Sequence, residues 1–218
     1  MTSRALYAKV TMLARLPAPA NSPTDHLIVG TDQNTYFTLT WDNATRQVRT
    51  ERSYVDLADK SSRESQTGNR CLIDPTGKYI TLEIFEGIVT VVPIVQPQKR
   101  RGKQTALSAT NPMNPDEPPA QIGELGEPTM ARVDEMMVRS SAFLHVQGKA
   151  PPRLALLHED NWRKVRLKVR ELYYDPPTST SSGEAKLLDD KVFLQELDMG
   201  ASHLIPVPAP LGELFYLC

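Results

Sequence analysis

The feature that most constrains the fold is a dense succession of short alternating runs joined by tight turns. In the segment CLIDPTGKYITLEIFEGIVTVVPI, residues 71–94, three such runs are separated by the turn sequence DPTG at 74–77 and by Glu86-Gly87. Apolar residues at every second position are typical of a strand with one buried face, and Asp-Pro-x-Gly is typical of a β-turn. Gly87 suits a two-residue hairpin because glycine adopts positive φ at little steric cost. The segment therefore predicts a meander of antiparallel strands.

The same plan recurs before and after this segment. The first run, Leu6 to Leu16, has apolar residues at every second position, and we favour a strand there, although the acid-free start of the chain also resembles a mitochondrial presequence. No segment holds an apolar period of 3.6 residues for four turns, so the sequence predicts an all-β fold. Strands are predicted at His26–Thr31, Tyr36–Trp41, Gln47–Tyr54, Arg70–Ile73, Tyr79–Phe85, Ile88–Val95, Ser141–Val146, Arg153–His158, Lys164–Tyr173, Lys191–Leu197, His203–Val207 and Glu213–Leu217.

Successive meanders with no helix between them fit either a β-propeller or a β-sandwich. The order of apolar run, polar turn and alternating run recurs in LIVGTDQNTYFTLTW, TLEIFEGIVTVVPI and LALLHEDNWRKVRLKV. This recurrence favours consecutive propeller blades, because a sandwich tends to send its chain between two sheets by longer crossings. We predict a partial β-propeller of about three blades, each a four-stranded antiparallel sheet.

One long segment has a different composition. Residues 96–131 combine six prolines with a basic cluster and then acids, which is typical of a disordered insert. The sequence GELG at 123–126 reads as part of this linker, and TSTSSG at 178–183 reads as a smaller flexible loop. We therefore predict propeller blades in residues 1–95, a proline-rich disordered insert in 96–131, and further blades, cut short, in 132–218.

Composition and motif searches favour a protein that is not an enzyme. The net charge is -1, from 25 basic and 26 acidic residues, so no global field attracts nucleic acid or an anionic membrane. No apolar run is long enough for a membrane span, and Cys71 and Cys218 form no paired motif. The sequence predicts no cofactor, no metal, no membrane and no small-molecule substrate. The four histidines stand apart with no zinc-binding spacing: His26, His145, His158 and His203.

Two basic groups are candidates for recognition. The first, Lys99, Arg100, Arg101 and Lys103, can serve as a nuclear localisation signal or a nucleic-acid arm, or it can be an ordinary solvated linker.

The second group lies on a predicted strand, where alternation puts four basic side chains on one face: Lys164, Arg166, Lys168 and Arg170. With neighbouring aromatic rings it could form a nucleic-acid groove. We favour a solvated outer strand, protected by its charges if it lies at a sheet edge, with the aromatic residues packed in the blade cores or against the hairpins. These aromatic residues are Trp41, Trp162, Phe37, Phe85, Phe143 and Phe193.

Long stretches of the chain resemble a known family, the large subunits of damaged-DNA-binding proteins. The resemblance rests on SSRESQTGNRCLIDPTGKYITLEIFEGIVTVVPI, on VDEMMVRSSAFLHVQGKAPPRLALLHEDNWRKVRLKVREL and on HLIPVPAPLGELFYL, in unbroken order. The insert ending in GELGEP is similar to fungal members. The matching turn and strand positions are Thr67, Gly68, Ile73, Asp74, Pro75, Gly87, Pro93, Val207, Pro208, Pro210 and Gly212.

The resemblance implies a scaffold of three β-propellers that acts as the substrate-receptor adaptor of a cullin-4-type RING ubiquitin ligase. It implies a nuclear protein, present also in the cytoplasm, that acts in nucleotide-excision repair with a lesion-reading partner and contacts nucleic acid indirectly. WD40-type receptors would bind through the first and third propellers, and the cullin through the second. This chain resembles part of the first propeller alone, beginning late in its first blade or at its second. No receptor-contacting residue can be carried over.

An alternative function remains at this stage. Scaffolds of pre-mRNA splicing and of 3′-end cleavage and polyadenylation share the same first propeller, and they bind nucleic acid. The DPTG turn and the Glu86-Gly87 hairpin resemble the damaged-DNA-binding subunit more closely.

Overall fold

The computed structural model describes residues 8–16, 25–55, 64–65, 68–95, 124–145, 150–176, 183–189, 195–207 and 214–217. Within these ranges all the regular secondary structure is β. The strands are β1 Val10–Leu16, β2 His26–Thr31, β3 Thr35–Asp42, β4 Gln47–Val55, β5 Arg70–Ile73, β6 Tyr79–Glu83, β7 Ile88–Val95, β8 Glu124–Leu125, β9 Thr129–Arg132, β10 Val138–Leu144, β11 Arg153–Glu159, β12 Val165–Asp175, β13 Glu184–Asp189, β14 Gln195–Glu196, β15 His203–Pro206 and β16 Leu214–Leu217.

The strands form three antiparallel sheets and part of a fourth, each built from neighbours in sequence. The first sheet has the order β1-β2-β3-β4. The second has β5-β6-β7, with both β8 and β9 paired to β7, and the third has β10-β11-β12, with both β13 and β14 paired to β12. A two-stranded ladder of β15 and β16 follows. The prediction of an all-β, partial propeller with three four-stranded units is confirmed.

The first strands of the successive sheets lie side by side. β1 contacts β5, β5 contacts β10, and β10 contacts β15. On the outer side, β9 of the second sheet contacts β13 of the third. Each sheet therefore packs face to face on the next, as propeller blades do.

Alternating residues of the middle sheets supply two different cores. In β7, Val92 packs between the first and second sheets, whereas Val89 and Val91 pack between the second and third. In β11, Leu154 and Leu156 join that same middle core, whereas Ala155 and Leu157 pack towards β15. Because successive side chains point to opposite faces, one strand can be apolar throughout and serve two cores.

The first core shows how a bulge changes which residues are buried. Met12 and Leu16 pack against Ile28 and Ile80, as the period-two pattern of the first run predicts. The register of β1 and β2 shifts between Val10 and Met12, and Val10 is exposed. The predicted strand is confirmed from Val10 to Leu16, and residues 1–7 lie outside the described ranges.

The predicted end of the insert is wrong. Glu124–Leu125 and Thr129–Arg132 are strands on β7, and Leu125 is buried in the first core. The GELG sequence is thus not linker throughout, because Leu125 supplies core and Gly126 donates its N–H to the carbonyl of Pro93 at 2.8 Å. The rest of the predicted insert, residues 96–123, lies outside the described residues.

The fourth position of the third sheet also differs from prediction. Of the strand predicted at 191–197, Gln195–Glu196 is a strand and residues 191–194 lie outside the described ranges, and Glu184–Asp189 is an additional strand. β13 pairs with β12 from Arg170 to Asp175, and β14 pairs with it at Arg166 and Leu167. Two short strands therefore share the long β12, which is an interior strand and not the edge strand considered from the sequence.

Candidate functional site

The basic stripe of β12 faces the second sheet, where acids neutralise it. Across the ladder, Lys168 pairs with Leu156 and Arg170 with Leu154, two residues of the core between the second and third sheets. The prediction of a shared face is confirmed for Arg166, Lys168 and Arg170, whereas Lys164 precedes β12. The expected exposure is wrong for Arg170, which is buried, whereas Lys164 is exposed.

The partners of the stripe come from other elements. Glu135, in the connection from β9 to β10, accepts Arg170 Nη2 at 2.6 Å and Lys168 Nζ at 2.9 Å on the same Oε1 atom. Asp189 of β13 contacts both cations as well. We call Glu135, Lys168, Arg170 and Asp189 the charged seam. Since its cations are already paired, the seam offers no open basic groove to nucleic acid.

Burial and pairing set the ionisation of the seam. Burial acts to raise the pKa of Glu135, but hydrogen bonds from Arg170 and Lys168 outweigh it and hold that pKa below its ordinary value. Nearby, burial lowers the pKa of His158 and so favours the neutral imidazole. The seam therefore holds an ionised carboxylate beside an uncharged histidine at neutral pH.

A second buried pair lies beside the seam. On neighbouring strands, Arg70 Nε lies 3.0 Å from Glu83 Oε2, without the alignment of a hydrogen bond. Arg70 Nη2 donates to the carbonyl of Val138 at 3.0 Å, which ties the second sheet to the third. Burial raises the pKa of Glu83, and Arg70 and the Ser141 hydroxyl oppose this rise without cancelling it.

A small pocket joins the two groups, and we call it the end pocket. It lies where the β6–β7 turn meets the β9–β10 connection, and its volume is about 20 Å³. Its polar lining includes Arg70, Glu83, Glu86 and Glu135, and Met137 also lines it. Space of this size admits about one water-sized group.

The polar lining of the end pocket is mainly charged. It holds three glutamates, Arg70 and Ser65, and neither a cysteine nor a histidine is among its described residues. Cys71 lies on the other face of β5, in the first core, where burial raises the pKa of its thiol to about 12 and keeps it un-ionised at neutral pH. The carboxylates of the pocket can accept hydrogen bonds from a cation or a donor.

Exposed methionines and a tryptophan lie at the same end of the second and third sheets. Met136 and Met137 precede β10, Trp162 is at the tip of the β11–β12 hairpin, and Met199 precedes β15. Arg139 links this region, since it donates to the carbonyl of Met199 at 2.8 Å and pairs with Glu159 at 2.8 Å. An exposed apolar group of this kind is typical of a protein-binding surface.

The aromatic residues divide between core and surface. Phe37, Phe85 and Phe143 are buried, as predicted, and Phe193 lies outside the described residues. The tryptophans do not pack in the blade cores, which was one of the two predicted positions, since Trp162 is 78% exposed and Trp41 is also exposed.

The histidines are separated, as their spacing in the sequence indicates. His26 is buried beside Thr40, and His203 lies next to the Ser202 hydroxyl. Across the described ranges, no three His, Cys, Asp or Glu side chains are placed to hold a metal ion, and no helix is long and apolar enough to cross a membrane. The basic cluster, Lys99, Arg100, Arg101 and Lys103, lies outside those ranges.

The sequence alone did not single out Glu83 or Glu135. Alternation in β6 places Glu83 with Thr81 on the face opposite Ile80 and Leu82, so the local pattern predicts a solvent-facing acid. Glu135 has no local signal either, and the burial of both residues depends on the meeting of two sheets.

Comparison with known proteins places this fold in a family. A family model described as the RSE1/DDB1/CPSF1 first beta-propeller matches residues 1–218. The chain is 31% identical over 206 residues to DNA damage-binding protein 1 of Schizosaccharomyces pombe, which covers 94% of this chain and 17% of that protein. It is 27% identical to DNA damage-binding protein 1 of Oryza sativa subsp. japonica, over 97% of this chain and 16% of that protein. It is 26% identical to DNA damage-binding protein 1b of Arabidopsis thaliana, over 94% of this chain and 16% of that protein.

The match is extensive in this chain and limited in its relatives. It runs through all the sheets described above, and the chain spans 16–17% of the length of these three relatives. The order of the sheets and the turns that carry the resemblance agree with the family model, which matches residues 1–218. The chain belongs to the family of first β-propellers shared by RSE1, DDB1 and CPSF1.

Proposed function

We propose that this chain is part of a non-enzymatic scaffold that recruits WD40-type substrate receptors to a cullin-4-type RING ubiquitin ligase and acts in nucleotide-excision repair. The observation that supports this most is the similarity of nearly the whole chain to proteins named DNA damage-binding protein 1. The alternative, an RNA-processing scaffold, shares the family model but has no support from these relatives.

The arrangement of the described residues is consistent with a binding role. Buried charges are paired across sheets, as in the Glu135–Arg170 contact, and the two most exposed large apolar side chains, Trp162 and Met199, lie in the connections after β11 and before β15. A rigid sheet stack with binding residues on its loops is a common design for recognition. We propose that receptors bind this propeller, and that the cullin binds a part of the full-length protein that this chain does not span.

The experiment is affinity capture of the full-length protein from cells before and after ultraviolet irradiation. We expect a cullin and WD40-type receptors among the captured proteins, and we expect loss of the protein to slow removal of ultraviolet photoproducts. Recovery of spliceosomal or polyadenylation subunits in place of the cullin would overturn the proposal in favour of RNA processing.

We also propose nuclear localisation through the basic cluster. Four cations within five residues, Lys99, Arg100, Arg101 and Lys103, match the composition that import receptors recognise. Replacing all four with alanine in a fluorescently tagged protein should abolish nuclear accumulation. The matched control is Arg132→Ala with Arg163→Ala, two exposed cations elsewhere, which should leave it unchanged. Equal import of the two variants would contradict this proposal.

A further inference from the structure

Three exposed apolar side chains are gathered around the ion pair of Arg139 and Glu159. Met137 is 42% exposed, Met199 68% and Trp162 78%. Arg139 donates through Nη1 to the carbonyl of Met199 and through Nη2 to Glu159 Oε2, both at 2.8 Å. Glu159 donates its own N–H to the carbonyl of Met137 at 3.4 Å, and Trp162 follows three residues later in the same hairpin. This ion pair therefore holds the three residues together, and we call Met137, Trp162 and Met199 the tip cluster.

The hairpin that carries Trp162 is fixed by its own hydrogen bonds. Asp160 accepts the N–H groups of Trp162 and Lys164 on Oδ1, each at 2.9 Å. The Nε of Arg166 donates to Oδ2 of the same carboxylate at 2.6 Å, and the Asp160 carbonyl accepts the N–H of Arg163 at 2.8 Å. A backbone that is already fixed loses little freedom when a partner binds, so Trp162 is suited to anchor one.

Arg163 stands beside Trp162 in a backbone conformation that costs energy. Its φ is 60°, in the left-handed region where the β5–β6 turn has Gly77. Residues that keep such strain are concentrated at binding sites and active sites. The side chain is exposed and forms no ion pair with a described residue, so its charge is accessible to a partner.

The charges around the tip cluster favour a partner that carries a carboxylate. The neighbouring cations Arg139 and Arg166 are each paired with an acid, at 2.8 Å and 2.6 Å. Arg163 supplies a positive charge that these pairs do not neutralise. Asp198 lies next to Met199, so the cations do not form the continuous basic groove that a nucleic-acid strand requires.

The apolar residues favour a protein as that partner. Tryptophan and arginine are the residue types that most often contribute the largest binding energies at protein interfaces, and here they are adjacent. Methionine side chains are flexible and adapt to apolar groups of different shape. The tip cluster thus combines a rigid indole, two adaptable thioethers and one cation.

We propose that the tip cluster binds a segment of a receptor protein in which an apolar side chain lies next to a carboxylate. The apolar side chain packs on Trp162 and the two methionines, and the carboxylate pairs with Arg163. This inference rests on the proposed scaffold function, because it takes the partner to be one of the receptors. The competing occupants are a nucleic-acid strand stacked on Trp162 and another part of the full-length protein.

The test selects peptides from a display library of random sequences on the purified full-length protein, and discards those that also bind Trp162→Ser. We expect the remaining peptides to carry an acidic residue close to an aliphatic or aromatic one. On Arg163→Glu, the selected charge should change from acidic to basic. Arg132→Glu, at an exposed cation on β9, is the matched control and should keep the acidic preference.

Two results of this selection would overturn the proposal. One is a failure to obtain peptides that depend on Trp162, as a cluster covered by the rest of the protein would give. The other is the same charge preference on Arg163→Glu as on the wild type.

Affinities of the selected peptides measure the contribution of each residue. Trp162→Ser should weaken binding about tenfold or more, and Met199→Ser should weaken it less. Trp41→Ser is the matched control, because Trp41 is 45% exposed on β3 of the first sheet. Equal weakening by Trp41→Ser would count against the site. Oligothymidine is the probe for nucleic acid, and its binding to the wild type but not to Trp162→Ser would show that the proposed partner is wrong.

Receptor capture separates this inference from the scaffold proposal. We expect Trp162→Ser combined with Arg163→Glu to reduce capture of a WD40-type receptor about tenfold, while the full-length protein keeps its cullin. If this double variant captures the same receptors as the wild type, the tip-cluster assignment alone is wrong. If the wild type captures neither receptors nor a cullin but the peptides bind as expected, the peptide-binding surface stands and the ubiquitin-ligase role falls.

Discussion

At the scale of single residues, two hairpin turns solve the same problem with different residues. Asp74 and Asp160 each accept the N–H of the residue three positions on, at 2.8 Å, and in each turn that residue has positive φ. It is Gly77 at 69° in one turn and Arg163 at 60° in the other. The sequence DPTG predicts its turn because glycine is expected at such a position. Asp160-Asn161 also indicates a turn, but nothing in an arginine indicates a left-handed backbone, so this strain was not predictable.

The two turns predict opposite effects of exchanging glycine. Gly77→Ala should destabilise its hairpin by about 1 kcal/mol, because a Cβ disfavours positive φ although no atom lies within 4 Å of it. Arg163→Gly should stabilise its hairpin by about 0.5 kcal/mol, since relief of strain exceeds the added entropy cost of glycine. Native-state hydrogen exchange of amides in β6 and β11 measures both. Destabilisation by Arg163→Gly would show that the arginine side chain contributes more than the strain costs.

At the scale of elements, neighbouring residues of one strand belong to different cores. Leu156 and Leu157 are adjacent and fully buried, yet Leu156 packs towards the second sheet and Leu157 towards β15. The run LALLH predicts a buried strand, but an apolar residue at every position does not say which face meets which neighbour. That assignment comes from the order of the sheets.

This arrangement predicts which neighbouring strand is destabilised when a cavity is made in β11. Leu156→Ala and Leu157→Ala should each cost about 2–5 kcal/mol locally. Leu156→Ala should lower protection from hydrogen exchange in β7, and Leu157→Ala should lower it in β15. Because the substitutions are chemically identical and one residue apart, each is the control for the other. The same protection pattern in both variants would contradict the separation into two cores.

The charged seam shows what a strand pattern can and cannot predict. Alternation correctly places Arg166, Lys168 and Arg170 on one face of β12. Their partners, Glu135 and Asp189, come from a connection and from a strand that propensity did not indicate. A stripe of basic residues is therefore predicted to be solvent-exposed when the acids that pair with it are distant along the chain.

The seam predicts a pH-dependent contribution to stability. The folded-state pKa of Glu135 lies below its ordinary value of 4.5, so its stabilisation is complete above pH 4.5 and is lost as the pH falls through the folded pKa. Glu135→Gln should cost about 3 kcal/mol at pH 7, and the difference from the wild type should shrink below pH 4.5. Hydrogen exchange in β10 and β12, corrected for intrinsic rates, measures this.

Glu83→Gln is the contrasting variant for this prediction. In the wild type the folded-state pKa of Glu83 is raised. Ionisation of Glu83 therefore lowers the stability of the wild type as the pH rises from 4.5 through that pKa. The two variants should therefore show pH trends of opposite sign. A difference between Glu135→Gln and the wild type that does not change with pH would rule out the linkage.

At the scale of the whole molecule, the sequence predicts the sheets better than their outer strands. β2, β5 and β7 match the predicted bounds, because turn signals delimit them. β8, β9 and β13 were missed, since two are very short or flanked by proline, and EAKLLD has residues common in helices. These segments are strands because they pair with β7 and β12, and no local sequence pattern indicates that pairing.

The second sheet predicts tolerance to a change in the insert. Replacing residues 100–119 with a short Gly-Ser linker should change the local stability of β7 and β9 by no more than about 1 kcal/mol, because each halving of a loop changes its closure cost by only about 0.6 kcal/mol. Hydrogen exchange in β7 is the measurement, and Val92→Ala, in the first core, is the positive control. A large loss of protection in β7 would show that the segment contributes contacts to the blade.

The pairing of β8 with β7 has a consequence for how this family can vary. Val95 and Glu124 are ladder partners, so the chain leaves the sheet and returns to it at one place. Whatever sequence joins these two residues, its effect on the blade depends chiefly on the distance between the two ends of the joining segment. A folded domain whose own termini lie close together can therefore be grafted between them, and evolution can lengthen, shorten or replace this segment without redesigning the propeller.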